Sequence, residues 1–248
     1  MMKSPILALN TQGQIDNCKD RQAVYQIASV LFSYPLPETL EALREWRLQS
    51  ALNDAWLALT SQSWPQFTST NELKDLEVGY MSTFIHGKRG KPRVPLVASA
   101  YESLVKGQTA GTFMLNIQAF YSHFGVKAAV ENEGVIDEPD HLVSMLEFCV
   151  VLCHLEIEAL HNDRDPSPYR RAHRDFLTRY LVPFLEAFHA RFTQESDYGL
   201  DPNIAHLIVS LPKWAHDQYV ALETQVGPNI KQTSDSIAVA DDAQAMWH

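Results

Sequence analysis

Cysteine is scarce in this chain, and what there is cannot build a framework. The three cysteines, Cys18, Cys149 and Cys153, follow no paired spacing and no metal-finger spacing. Cys149 and Cys153 lie four apart in an apolar stretch, which places them on one helix face as small core residues. The sequence also lacks an apolar run long enough to cross a bilayer, and its N-terminus, MMKSPILALNTQGQ, is too short and too weakly basic for an export signal. Reduced thiols and a cytoplasmic location are the expectation. Positive charge is in deficit: 20 Lys and Arg stand against 30 Asp and Glu, a net charge of −10. That balance disfavours nucleic acid and anionic membranes as partners and suits a basic polypeptide segment. No G-x-S-x-G occurs, and the basic stretch HGKRGKPRVPLV lacks the order of a phosphate-cradling loop and reads as a solvated loop. Alternating strand patterns are missing as well.

Helical periodicity is present nearly throughout, and the reading is an all-α chain of about nine helices forming a single compact domain over residues 20–225. Residues 1–19 read as a lead-in and 226–248 as a loose tail. The first helix is expected from about Asp20 to Tyr34, burying Val24, Ile27, Ala28 and Leu31, and Tyr-Pro-Leu-Pro stops it. Pro37 opens the next, PETLEALREWRLQ, and a short segment passes through Trp56 and Leu59. Ser69 to Glu72 has capping-box spacing before a helix through Leu76, Tyr80 and Phe84. Another runs from Thr109 to Phe124 and stops at Gly125. The longest apolar helix ends near Leu160. The break Asn-Asp-Arg-Asp-Pro-Ser-Pro within residues 161–168 is either a plain loop or a hinge for domain swapping, so monomer and swapped dimer both stay open. Kinks are expected at Pro183 and Pro212 in the C-terminal helices, the second of which starts at Asp201-Pro202 and ends near Gln225.

The stretch Ile136 to Phe148, IDEPDHLVSMLEF, concentrates acids, a proline and a histidine before an apolar run. Its simplest reading is a helix start. Pro139 suits the first turn, Asp137 or Glu138 caps it, and Asp140 favours the dipole. That reading leaves His141, and Glu147 inside the apolar stripe, without a role. Two E-x-x-H pairs, Glu158/His161 and Glu186/His189, raise an alternative, a helical di-iron site. No glutamate lies between His161 and Glu186 to complete it. His154 with Glu158 and His161 likewise shares one helix face, as a zinc site would need or as a solvated helix end would show.

The motif Glu138 to Leu142 followed by Leu146-Glu147-Phe148 resembles the signature of the TorD/DmsD/NarJ family, all-helical cytoplasmic chaperones of molybdenum enzymes. Two further blocks agree in order: Tyr80 and Phe84 with Pro95, Ser99 and Tyr101, and then Phe176, Leu177, Leu181, Pro183 and Phe184. Thr83, Tyr180 and Phe184 depart from the usual leucine, histidine and tryptophan, and Pro139 directly before Asp140-His141 looks closer to the nitrate-reductase and type II dehydrogenase branch.

The resemblance implies binding without catalysis and without a cofactor of the chaperone's own. The partner is the catalytic subunit of a molybdopterin-dependent oxidoreductase, held by its twin-arginine signal peptide or a remnant of one. Arg170-Arg171-Ala172 lies too far inside the chain to be such a signal itself. The expected signal-peptide site comprises Tyr80, Phe84, Ser99, Tyr101, Glu138, Pro139, Asp140, His141 and Leu142. In that expectation Tyr80, Phe84, Tyr101 and Leu142 line an apolar groove, and Glu138 and Asp140 meet the arginines. His141 bridges the acids to a backbone group or senses pH, and Glu147 orders the loop by accepting a hydrogen bond.

Overall fold

The computed structural model describes residues 10–87, 90–126, 138–195 and 199–229. Among them are ten α-helices and no named strand: α1 Thr11–Phe32, α2 Pro37–Arg44, α3 Arg47–Thr60, α4 Leu73–Tyr80, α5 Glu102–Val105, α6 Ala110–His123, α7 Leu142–His161, α8 Ser167–Phe176, α9 Val182–Thr193 and α10 Pro202–Val226. The all-α expectation holds. Residues 230–248, most of the expected tail, lie outside the described residues.

α7 is the central helix because it is apolar almost all round. Its exposed residues, Glu147, His154, Glu158 and His161, form a single solvent-facing stripe. It packs along α1, which in turn meets α3, while α10 closes against α8 and α9. Cys18, Cys149 and Cys153 are all buried free thiols, and burial pushes the Cys149 thiol up.

α1 starts at Thr11 with Asn10 as its cap, nine residues before the expected start. The segment TQGQIDNCKD lacks an apolar stripe because it buries only Ile15 and Cys18 among polar residues, and the next core position is an arginine. Arg21, 2% exposed, reaches across to Glu156 of α7 at 2.6 Å. Arg170 of α8 takes the other oxygen of that carboxylate at 2.6 Å and bonds Gln14 at 2.8 Å. Three helices are thus fastened by one buried carboxylate holding two guanidiniums.

The expected kink at Pro183 has a definite form. α8 and α9 are joined by a π-helical turn, Leu177–Leu181, so the wider turn absorbs the carbonyl that the proline ring would otherwise strike. A second π turn, Met81–Ile85, extends α4. Beneath it Gly79 meets the Gly199 backbone so closely that a Cβ there would overlap the Gly199 carbonyl. The expected capping box does not form: Glu72 precedes α4 without a side-chain cap bond. Ser69 instead accepts hydrogen bonds from Gln49 and Asn203, at 2.6 and 3.1 Å. Asp201 does cap α10, and its second oxygen binds the Thr70 amide at 2.8 Å.

The 161–168 break is a short turn in which Asp163 takes a left-handed backbone (φ 51°) and Asp165 accepts the Ser167 amide at 3.0 Å. No described helix is long and apolar enough to cross a membrane.

Candidate functional site

The motif blocks, far apart in sequence, meet at one corner. Residues 93–101 form a strap stitched at both ends. Arg93 and Val94 donate to the Thr83 carbonyl, each at 3.0 Å, tying the strap to the π turn after α4. At the other end Leu142 donates to Leu96 at 2.8 Å, Ala98 donates to the Asp140 carbonyl at 3.0 Å, and Val97 and His141 form an isolated antiparallel bridge. The Asp140 side chain completes the join by accepting the Ser99 amide at 2.7 Å. Tyr101 bonds the Pro95 carbonyl at 2.9 Å and its ring meets Phe184 of α9, centroids 5.6 Å apart.

Glu138 to His141 is a tight turn closed by the His141 amide on the Glu138 carbonyl at 2.9 Å. Pro139, with φ already fixed, sits at its second position. The helix itself begins at Leu142, so Pro139 is a turn residue and not the first turn of a helix. The cap is His141, whose Nδ1 accepts the Val143 amide at 3.3 Å. Asp137, an expected alternative cap, lies outside the described residues. Tyr121 of α6 donates to the Pro139 carbonyl at 2.6 Å. Burial above all, with nearby acids that include Asp140, holds the Tyr121 phenol well above its ordinary value, so it stays a donor.

Several of the sequence-derived site residues are therefore frame and not surface. Tyr80, Phe84 and Leu142 are 4%, 2% and 0% exposed, so they pack the core and line no groove. Tyr80 donates to the Phe32 carbonyl at 3.1 Å, and Phe84 meets Phe32 and Phe188. Asp140 is 0% exposed, with Oδ2 on the Ser99 amide and Oδ1 buried without a donor among the described residues. In this conformation it cannot meet an arginine from solvent. Glu147 is exposed and not within the apolar stripe. Glu138 is exposed, and Pro139, His141, Ser99 and Tyr101 are half-buried. These are the accessible members.

Glu158, His161 and Glu186 face solvent, and among the described residues no group of three or more His, Cys, Asp or Glu could hold an ion. Sequence reasoning missed the Arg21–Glu156–Arg170 network. Its signal was a glutamate at position 156 on the same face as Cys149 and Cys153. It also missed an open cleft of about 590 Å³ bounded by α2 and the start of α4, lined by Pro37, Leu40, Leu73, Glu38, Glu41 and Glu45 together with Arg44.

The nitrate reductase delta subunit family model matches residues 45–190. The chain belongs to that family. The match spans the strap, the Glu138 turn and the π turn before Pro183, so the family's region contains the whole corner. Similar proteins extend the likeness. A dimethyl sulfide dehydrogenase assembly chaperone protein of Rhodovulum sulfidophilum is 37% identical over 91% of each chain. A selenate reductase assembly chaperone protein of Thauera selenatis is 32% identical over 71% of this chain and 79% of its own. A chlorate reductase assembly chaperone protein of Ideonella dechloratans is 31% identical over 78% and 89%. No solved structure matches the chain.

Proposed function

We propose that this protein is a cytoplasmic assembly chaperone that binds the N-terminal twin-arginine segment of an apo-molybdoenzyme catalytic subunit and holds it until the cofactor is inserted. The observation that carries the chaperone role is the 37% identity along 91% of both chains to a protein named as an assembly chaperone. It performs no reaction of its own. The finer reading, capture of the leader, draws support from charge: the chain carries −10 overall, and Glu138 stands exposed on the corner where the family motifs meet. In this reading Glu138 and His141 touch the leader, with Ser99 and Tyr101 beside them. Asp140 acts through them by holding the strap in place.

A calorimetric titration of the purified full chain with a synthetic twin-arginine leader peptide tests the reading. Saturable binding that weakens with salt and with Glu138→Gln is the expected result. A chain that binds no leader is not a leader chaperone. In parallel, a chelator should leave the thermal midpoint unchanged and metal analysis should find no stoichiometric iron or zinc. A midpoint that drops on chelation would revive the metalloenzyme reading built on Glu158/His161 and Glu186/His189.

A further inference from the structure

A twin-arginine leader has an apolar part as well as a basic one. The corner offers that part little, since Tyr80, Phe84 and Leu142 are sealed in the core. Exposed apolar side chains gather elsewhere. Of the ten large hydrophobic residues that stand exposed among the described residues, Tyr34, Leu36 and Val78 fall where the start of α2 approaches α4. Scattered surface hydrophobics need no explanation, whereas a contiguous patch rimmed by polar groups marks an interaction site.

Contiguity is given by specific contacts. The Tyr34 ring lies on Tyr80 with centroids 5.7 Å apart, and its hydroxyl donates to Glu77 at 3.1 Å, beside Val78. Leu36 leads directly into Pro37, which lines the cleft together with Leu73 of α4. Trp46, next after Glu45 in sequence, holds a left-handed backbone (φ 61°), uncommon for a bulky residue, and is 45% exposed.

The rim supplies charge of one sign where a basic partner needs it. Glu38, Glu41 and Glu45 line the cleft at successive turns of α2, against a single lining cation, Arg44. Arg47 pairs with Glu45 at 2.8 Å and approaches Glu41 at 3.9 Å, but these partners are more than half exposed. Exposed pairs of this kind hold weakly, so an incoming guanidinium can take Arg47's place.

We propose that this acid-rimmed apolar cleft is the seat of the leader's amphipathic part. The arginines meet Glu38, Glu41 and Glu45, and the following apolar turns lie over Leu36, Tyr34 and Val78, as helix-in-groove recognition requires. The proposal rests on the leader reading above: the three glutamates take the arginine pair, and Glu138 and His141 touch another part of the same leader.

The test uses the full chain and a synthetic peptide of two adjacent arginines followed by an apolar helical segment, with an Arg-to-Gln peptide as control. Tryptophan fluorescence and calorimetry are the readouts. The triple variant Glu38→Gln, Glu41→Gln, Glu45→Gln should bind about tenfold more weakly and lose part of its salt dependence. Val78→Ser should weaken the control and the parent peptide alike. All four positions are exposed, and an unchanged thermal midpoint will show that the fold is intact. Triple and Val78 variants that bind like the parent chain, while Glu138→Gln does not, would overturn the cleft assignment and leave the leader reading standing. A parent chain that binds neither peptide would overturn both.

Discussion

At the residue scale, the chemistry of this protein is set by which ionisable groups the fold buries. Asp140 carries the motif's acid but works as a clasp: its carboxylate holds the Ser99 amide, and through it the strap, against the head of α7. Asp140→Ala leaves that amide without an acceptor, and the loss should be about 1–3 kcal/mol. Asp140→Asn keeps an oxygen and should lose less. Urea midpoints of the two variants check the ordering, and equal midpoints for Asn, Ala and the parent would remove the clasp role. His173 tests a second buried group. It is 0% exposed, with Nε2 at 3.0 Å from the Tyr25 hydroxyl. Burial first, and then the charge of Arg21, hold its imidazole well below the ordinary value. The unfolded chain therefore binds a proton near pH 6.5 that the folded chain refuses. Stability is fully present above that pH and is lost as pH falls below it, by up to about 1.4 kcal/mol per unit from this group. His206, also shifted down by burial, adds in the same direction. Urea unfolding at pH 7 and pH 5.5 should show a shallower loss in His173→Gln than in the parent chain. Parallel losses would mean that His173 is already charged in the fold.

At the scale of elements, the helices were legible wherever apolar periodicity, a cap and a stop agreed. α6 is the clearest case: Thr109 caps it, the buried Phe113, Ile117 and Phe120 mark its inner face, and the turn at Gly125 follows its end. α10 follows the same logic from its Asp201-Pro202 start. Legibility failed where a signal had two physical meanings. Ser69 and Glu72 have capping-box spacing, yet Ser69 serves Gln49 and Asn203 across the fold. Pro139 fits a helix start and a turn equally well, and only the His141 amide on Glu138 decides between them. The start of α1 was hidden because its first ten residues bury only Ile15 and Cys18 among polar ones, and the core position that follows is a charged residue, Arg21. That residue and Glu156 give the prediction that belongs at this scale. Glu156→Gln strands Arg21 and Arg170 against a neutral amide at the junction of α1, α7 and α8, and should cost about 3–5 kcal/mol. Replacing the pair together, Arg21→Met with Glu156→Gln, should recover much of the loss, since an apolar chain of similar length needs no counter-charge. Circular dichroism melts of both variants decide it. A double variant no better than the single one would mean that the network does more than neutralise a buried charge.

At the scale of the whole molecule, the sequence disclosed the sign of the field but not its layout. A net charge of −10 is readable from composition. The gathering of Glu38, Glu41 and Glu45 beside exposed Tyr34, Leu36 and Val78 depends on α2 ending at Arg44 and on its packing against α4. Sequence reasoning ran α2 on to Gln49, which carried that face past Trp46 and lost the cleft. The two facts together fix how a basic leader should arrive. The distributed negative charge steers the encounter over distances beyond the screening length of about 8 Å at physiological salt, whereas the apolar contact sets how long the complex lasts. Stopped-flow mixing of the chain with a twin-arginine peptide at low and high salt should therefore show the association rate constant falling by about tenfold or more. The dissociation rate constant should move much less. Val78→Ser should do the reverse, speeding dissociation while leaving the salt dependence of association intact. Should salt act mainly on dissociation, the arginines would be held by close ion pairs in the complex, and the overall acidity of the chain would have no part in capture.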